Sequence, residues 1–390
     1  MVQIRSLPHT GAMNEAEFTS WFSALPQGSE SRDTERLVAT TVLLRELSSA
    51  QGVATSDWIG RSDPVAVGLE VAQILAELGL GTDALVAGML YRAVREQRLD
   101  MNELKGKAGP KVARLVEGAL RMAAVSELTD TRDEPVLGQA AAPNVNVRRM
   151  LVAMVDDVRI ALIKLAERTV AMRGLKNASN TQRQRIAGEV FSVYAPLAHR
   201  LGIGHLKWEL EDLSFRYTHE EPYHRIAKLL DGRRADRDRF INRVKADLTN
   251  VLAGASIDFE LAGRAKHIYS IWRKMQRKGI GFSQVHDIRA LRILVQDVAD
   301  CYQTLGIVHG MWRNIPNEFD DYIANPKENG YRSLHTAVIG PEGKILEIQI
   351  RTRRMHEEAE LGVCAHWRYK GSDKQDSSGD IYEAKLTWLP

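Results

Sequence analysis

The sequence predicts an α+β chain of more than one domain, with a helical first half followed by a mixed β-sheet flanked by helices. Three observations carry this. Apolar residues recur at three- and four-residue spacing over long windows of the first half. After about residue 255 the pattern changes to short β-branched runs with turn residues between them. At 390 residues the chain is long enough for two or three separate cores.

The helical half rests on "PVAVGLEVAQILAELG" and "RRMLVAMVDDVRIALIKLAERTVAMR", both periodic over many turns. Between them, "SELTDTRDEPVLGQAAAPNVNV" holds two prolines and a glycine and reads as an exposed loop. "GLKNASNTQRQRIAG" reads as a polar break before a further helical region, "YAPLAHRLGIGHLKWELEDLSFRY". In the second half "DIRALRILV", "SLHTAVIG" and "KILEIQIRT" read as strands, with helices in "AKHIYSIWRKMQRKG" and "RRMHEEAELGVCAHW". The segment "GSDKQDSSGD" reads as flexible and "IYEAKLTWLP" as the beginning of a helix.

Composition excludes several classes. The 53 basic and 50 acidic side chains nearly cancel, so phosphate binding has to come from local clustering of charge. The opening "MVQIRSLPHTGAMNEAEF" has no secretory pattern, and no apolar run is long enough to span a bilayer. Cys301 and Cys364 show neither metal-type spacing nor a disulfide framework, so a reduced, cytoplasmic protein with no membrane partner is expected.

Candidate chemistry lies in the second half. In "GRAKHIYSIWRKMQRKG", Lys266, Ser270 and Lys274 fall on one helical stripe, with Arg264 near the helix start. A solvated basic face is the plain reading of such a helix; a phosphate site at its N-terminus is the functional one. Asp287 precedes a strand that carries Arg292 and is suited to magnesium, which takes one or two carboxylates. The loop Asn325–Tyr331 puts Lys327 and Asn329 beside Tyr331, a ring able to stack on a base. In "ILEIQIRT", Leu346, Ile348 and Ile350 share one strand face, with Glu347, Gln349 and Arg351 on the other. That polar face is either solvated or the wall of a site. His335 joins it only if the "GPEG" hairpin has odd length or a bulge.

Together "YAPLAHRLGIGHLKWELEDLSFRY", "GRAKHIYSIWRKM", "DYIANPKENGYRSLHT", "EIQIRT" and "MHEEAELGVCAHWRYK" resemble the RelA/SpoT family of (p)ppGpp enzymes over nearly the whole chain. The resemblance implies a helical HD-type domain over 1–195, a helical connector over 196–250, a nucleotidyltransferase-like synthetase over 251–370, and a tail over 371–390. It implies that Arg264 and Arg292 sandwich the adenine of ATP, while Lys266, Ser270 and Lys274 hold its phosphates. Asp287 and Glu347 would bind Mg2+, with Glu347 also activating the attacking hydroxyl. Tyr331 would stack on the guanine of GTP or GDP, with Lys327, Asn329, His335 and Gln349 around it. Family members normally add regulatory domains that engage the ribosome, and no part of this chain resembles those.

Two departures refine the expectation. Family hydrolases hold a metal with a histidine, a His-Asp pair and a later Asp; the aligned positions here are Val67, Tyr91, Arg92 and Glu167. A following Glu-Asp pair becomes Arg95-Glu96, and an expected Asn is Ala171. No histidine occurs between His9 and His199, so a histidine-ligated site cannot be built there. The acidic Glu318-Phe319-Asp320-Asp321, read as a turn, resembles the synthesis-only subgroup and its preference for GTP. The expectation is therefore a GTP pyrophosphokinase with an inactive hydrolase domain. The rivals are a silent guanine-nucleotide-binding regulatory module and a nucleic-acid-binding module, the latter disfavoured by the balanced net charge.

Overall fold

The computed structural model describes residues 13–26, 33–48, 63–130, 157–232, 234–264, 266–282, 285 and 288–365, without the side chains of 125–130. Asp287, the greater part of the expected loop over 126–147 and the tail over 371–390 lie outside these residues. The chain divides between residues 198 and 199 into two compact units.

The N-terminal unit is helical: α1 (Glu15–Ser23), α2 (Thr34–Ser48), α3 (Pro64–Glu77), α4 (Thr82–Arg95), α5 (Met101–Ala108), α6 (Pro110–Asp130), α7 (Val158–Gly174) and α8 (Asn180–Glu189). Local chemistry sets the starts. Asn14 with Glu17, Asp100 with Glu103 and Ser179 with Gln182 form capping boxes, and α3 opens with Asp63 as cap and proline in its first turn. Helices α3 and α7 are buried on nearly every side, which explains their almost unbroken apolar runs. Two expectations shift here. Helix α6 runs to Asp130, into the segment read as loop, because Ser-Glu-Leu offers no breaker before Pro135. The polar break shrinks to a 3-10 turn at Leu175–Asn177, and "TQRQRIA" lies within α8. Polar residues there mark an exposed face with a good cap, not a loop.

The second unit holds α10 (Gly204–Thr218), α11 (Glu220–Asp231), α12 (Arg234–Gly254), β1 (Phe259–Arg264), α13 (Ile268–Lys278), β2 (Ala290–Val295), α14 (Val298–Met311), β3 (Arg313–Asp321), β4 (Leu334–Ile339), β5 (Ile345–Thr352) and α15 (Arg353–Leu361). A short α9 (Ala195–Arg200) spans the division. The five strands are ordered β1-β2-β5-β4-β3, with only β2 and β5 parallel, so the sheet is mixed as expected. One face packs on α12 and α14: Phe240, Val244, Leu248, Cys301 and Val308 meet Leu291, Ile293, Leu334, Leu346, Ile348 and Ile350. On a second, smaller core α13 packs with α10 and α11 through Ile268, Ile271, Phe215 and Ile226.

Strands β1 and β3 escape the sequence reading. β3 contains Pro316 and three asparagine or aspartate residues before its last position, a composition that argues against a strand in a sheet interior. It is an edge strand, where a missing donor is tolerated, and a register shift between Asn314 and Phe319 bulges it. Asn317 takes the positive φ of 65° within that irregularity. The acidic Glu318–Asp321 is therefore strand, not turn.

Candidate active site

The sheet register decides what faces what. β4 and β5 pair Ile339 with Ile345, leaving five residues in the hairpin, an odd number. His335 consequently sits opposite Gln349, and Asp320, His335, Gln349 and Arg292 form one row across four strands. In the neighbouring row Glu347 lies between Ala290 and Ala337, with Arg264 beyond Ala290. Two alanines leave the carboxylate standing above an open floor.

Above that floor is a cleft of about 740 Å³. Lys266, Ser270, Arg273 and Lys274 line it from α13 and the segment before it, with Glu318 and Asp320 from β3 and Glu347 and Gln349 from β5. A smaller cavity of about 210 Å³ holds Asn329, Tyr331, Trp208 and His199. Both cavities are lined by Lys207, Arg264, Lys327 and His335. Gly202, which lines the smaller one, lies where the backbone packs closely. Both Gly202 (φ +73°) and Gly362 (φ +55°) have left-handed backbone, and a side chain at Gly362 would collide with the Leu201 carbonyl.

Glu347 Oε1 accepts from Gln349 Nε2 at 2.9 Å and from Arg264 Nη1 at 3.4 Å. Its Oε2 has no hydrogen bond among the described residues. Burial opposes ionisation of this carboxyl, but Arg264, Lys266 and His335 together hold it below its ordinary value. Burial pushes Lys266 down to about 8 and His335 down to about 4. His335 is therefore neutral near pH 7, and its Nε2 meets the Tyr331 hydroxyl at 2.8 Å. Tyr322, Tyr331 and His335 stand edge-on to one another, with Lys327 Nζ 4.2 Å from the Tyr322 ring centre.

The structure brings Arg264, Lys266, Ser270, Lys274, Lys327, His335, Glu347, Gln349, Glu318 and Asp320 to the large cleft, and Asn329 and Tyr331 to its smaller neighbour. Three placements differ from the simplest sequence reading. Arg292 lines neither cavity, because its guanidinium turns to Glu360 of α15, 3.6 Å away. Asp321 is consumed by the backbone: it accepts from the amides of Ile323 and Ala324 and from the Tyr302 hydroxyl. The start of α13 is not open to anions, since Asp212 of α10 accepts from the Ile268 and Tyr269 amides. The cationic side chains, rather than the helix end, make the cleft attractive to phosphate. Lys207, Glu211 and Asp212 were hidden in "HLKWELED", whose Lys and Glu four apart look like an ordinary helical ion pair.

The degenerate positions of the helical unit are occupied differently. Glu167 accepts from Lys164 Nζ and Arg168 Nη2, each at 2.5 Å, and Lys164 also meets the Tyr91 hydroxyl at 3.0 Å. Arg95 donates to the same hydroxyl, while Arg92 and Arg98 close on Glu96. Val67 and Ala171 are buried and apolar. Among the described residues, no group of three His, Cys, Asp or Glu could hold a metal, and no helix is long and apolar enough to cross a membrane.

Residues 263–374 match the region found in RelA / SpoT proteins, and residues 47–204 match an HD domain. A GTP pyrophosphokinase of Photobacterium angustum is 43% identical over 390 residues, all of this chain and 50% of that protein. The GTP pyrophosphokinase of Escherichia coli K12 is 47% identical over 322 residues, 83% of this chain and 43% of that protein. The chain thus spans about half the length of the curated relatives it matches. The matched regions, the identities and the cleft all lead to one assignment: the chain belongs to the RelA/SpoT family.

Proposed function

We propose that the second unit transfers pyrophosphate from ATP to the 3'-hydroxyl of GTP or GDP, giving (p)ppGpp and AMP. The observation that carries this reading is Glu347: an ionised carboxylate with one oxygen that has no hydrogen bond among the described residues, between a basic helix and an aromatic cavity. The GTP pyrophosphokinases among its relatives support the same substrates.

In this reading Lys266, Ser270 and Lys274 hold the phosphates of ATP, and Arg264 covers its base. Arg292 would join it only after leaving Glu360. The guanine stacks on Tyr331 in the small cavity, with Asn329 at its edge, so the ribose crosses the seam marked by Lys327 and His335. Glu347 then accepts the proton of the 3'-hydroxyl as its oxygen bonds to the β-phosphorus. The bond from that phosphorus to the α,β-bridging oxygen breaks, and AMP leaves with the oxygen. Placement and neutralised charge supply the acceleration, as in other phosphoryl transfers. Oε2 of Glu347, without a hydrogen bond among the described residues, would hold a Mg2+ ion, which would offset phosphate charge. Asp287 is the second proposed ligand.

The helical unit is proposed to lack hydrolase activity. Its support is the absence of histidine between His9 and His199, together with a Glu167 carboxylate already held by two cations. Incubation with ATP, Mg2+ and GTP, followed by nucleotide separation, tests the synthetase reading: AMP and pppGpp should appear together. ADP in place of AMP would refute it. Manganese-dependent release of pyrophosphate from (p)ppGpp, surviving Glu347→Gln, would refute the inactive hydrolase.

A further inference from the structure

Lys207 and Glu211 sit one turn apart on α10 and both line the large cleft. Their side chains meet at 3.0 Å and are largely buried, with 19% and 13% of their surfaces exposed. Lys207 is also one of the four residues shared with the small cavity. Each of the others has a contact inside the site: Arg264 pairs with Glu347, Lys327 lies on the tyrosines, and His335 binds Tyr331. Lys207 instead pairs with Glu211, whose ionised form is itself disfavoured by burial. Both signs act around this pair: Arg273 lowers Glu211 while Asp212 raises it, and Glu328 opposes the cations at His199. Lys207, Lys327 and Arg273 all act on His199 and depress it, after burial.

A guanine nucleotide placed as proposed has its base on Tyr331 and its 3'-oxygen near Glu347. Its ribose then occupies the seam, and the 5'-phosphate chain must leave the ribose from there. Three cations line the small cavity that takes the base; Arg264 pairs with Glu347, which leaves Lys327 and Lys207 beside the acceptor's phosphates, while Arg273 lines only the large cleft. We infer that Lys207 is a ligand of the acceptor's 5'-phosphates, held over the seam by Glu211 until the nucleotide arrives. The phosphate takes over the ammonium, and Glu211, costly as a buried carboxylate, is the group released. Lys207 thus makes the site select a guanosine 5'-polyphosphate over guanosine.

This inference rests on the synthetase reading, and one series separates the two. Steady-state turnover with ATP in excess is measured against GTP, GDP and guanosine for the unsubstituted chain, Lys207→Met and Lys207→Arg, with circular dichroism confirming folding. Lys207→Met should raise KM for GTP and GDP about 10- to 100-fold, the range of one lost charge-assisted hydrogen bond. KM for ATP and kcat at saturation should stay within about twofold, guanosine should be used as poorly as before, and Lys207→Arg should recover most of the loss. Glu211→Gln, which frees the ammonium, should lower KM for GTP or leave it unchanged. Equal losses toward guanosine and GTP, or a rise in KM for ATP alone, would overturn the role of Lys207 while the synthetase reading stands. An unsubstituted chain that makes no 3'-pyrophosphorylated product would overturn both.

Discussion

Both units place a carboxylate among cations on a buried face, and the two sites differ in what is left over. At Glu167 each oxygen is taken, by Lys164 and Arg168, in a setting with almost no exposure. Burial alone would push Lys164 down and Glu167 up, yet each charge is held in place by the other and by Arg168 or Tyr91. At Glu347 the nearest cation, Arg264, stands 3.4 Å away, Lys266 acts on the charge, and one oxygen has no hydrogen bond among the described residues, above two alanines and beside a cleft of about 740 Å³. A saturated network fixes a fold; an unsaturated one with room beside it can take a substrate. Charged residues alone do not tell the two apart.

That contrast can be broken most forcefully in the helical unit. Glu167→Ala strands two buried cations and should cost roughly 3–5 kcal/mol of stability. Urea unfolding should move to lower midpoint, while KM for GTP, measured where the protein is still folded, should not change. A variant of undiminished stability but altered KM would reverse the roles assigned to the two networks.

Tyr331→Ala should weaken guanine nucleotides by about 1–3 kcal/mol and spare ATP. Tyr331→Phe keeps the ring but removes the hydroxyl bond to His335, so a smaller loss is expected, readable by titration calorimetry with GDP. Should Tyr331→Ala raise KM for ATP instead, the acceptor lies elsewhere.

Lys266 provides a pH signature that the saturated network lacks. Burial lowers it to about 8, so its ammonium is present below that pH and lost as pH rises through it. KM for ATP should be flat at neutral pH and climb at and above about pH 8. Lys266→Arg, which remains charged, should abolish the climb. A pH profile that persists in Lys266→Arg would assign the titration to another group.

The smallest effect is expected at the bulged edge strand. Glu318 pairs with Lys278 at 3.2 Å on an exposed rim, where such contacts are worth about 1 kcal/mol or less. Replacing Glu318 by Arg and Asp320 by Lys should shift the ratio of kcat/KM for GTP over GDP toward GDP by no more than about fivefold. An unchanged ratio would remove this motif from acceptor choice.

Much of this was legible in the sequence wherever periodicity and burial agree. The alternation in residues 345–352 gave the two faces of β5, and the apolar face is core as expected. The register that joins His335 to Gln349 was open, because a hairpin of unknown loop length fixes no parity until the five-residue connection is seen. Strand β3 was invisible because Pro316 and its asparagines signal a turn unless the strand is known to be an edge. The resemblance puts Arg292 on the adenine, and its pairing with Glu360 depends on where α15 packs, which no local pattern shows. Lys207 and Glu211 have the four-residue spacing of a routine helical pair, and only the cavities around Lys207 give it a different meaning.

The account stands on the polar face of β5 being the floor of a transfer site, and turnover of a folded Glu347→Gln protein at saturating ATP and GTP tests that directly. The amide keeps the size of the side chain and its bond to Gln349 but cannot take the hydroxyl proton or hold a metal as a carboxylate does. Product formation should fall by several orders of magnitude while GDP affinity stays within about tenfold of the unsubstituted chain. Turnover within about twofold of normal, the behaviour of an exposed glutamate, would contradict the account.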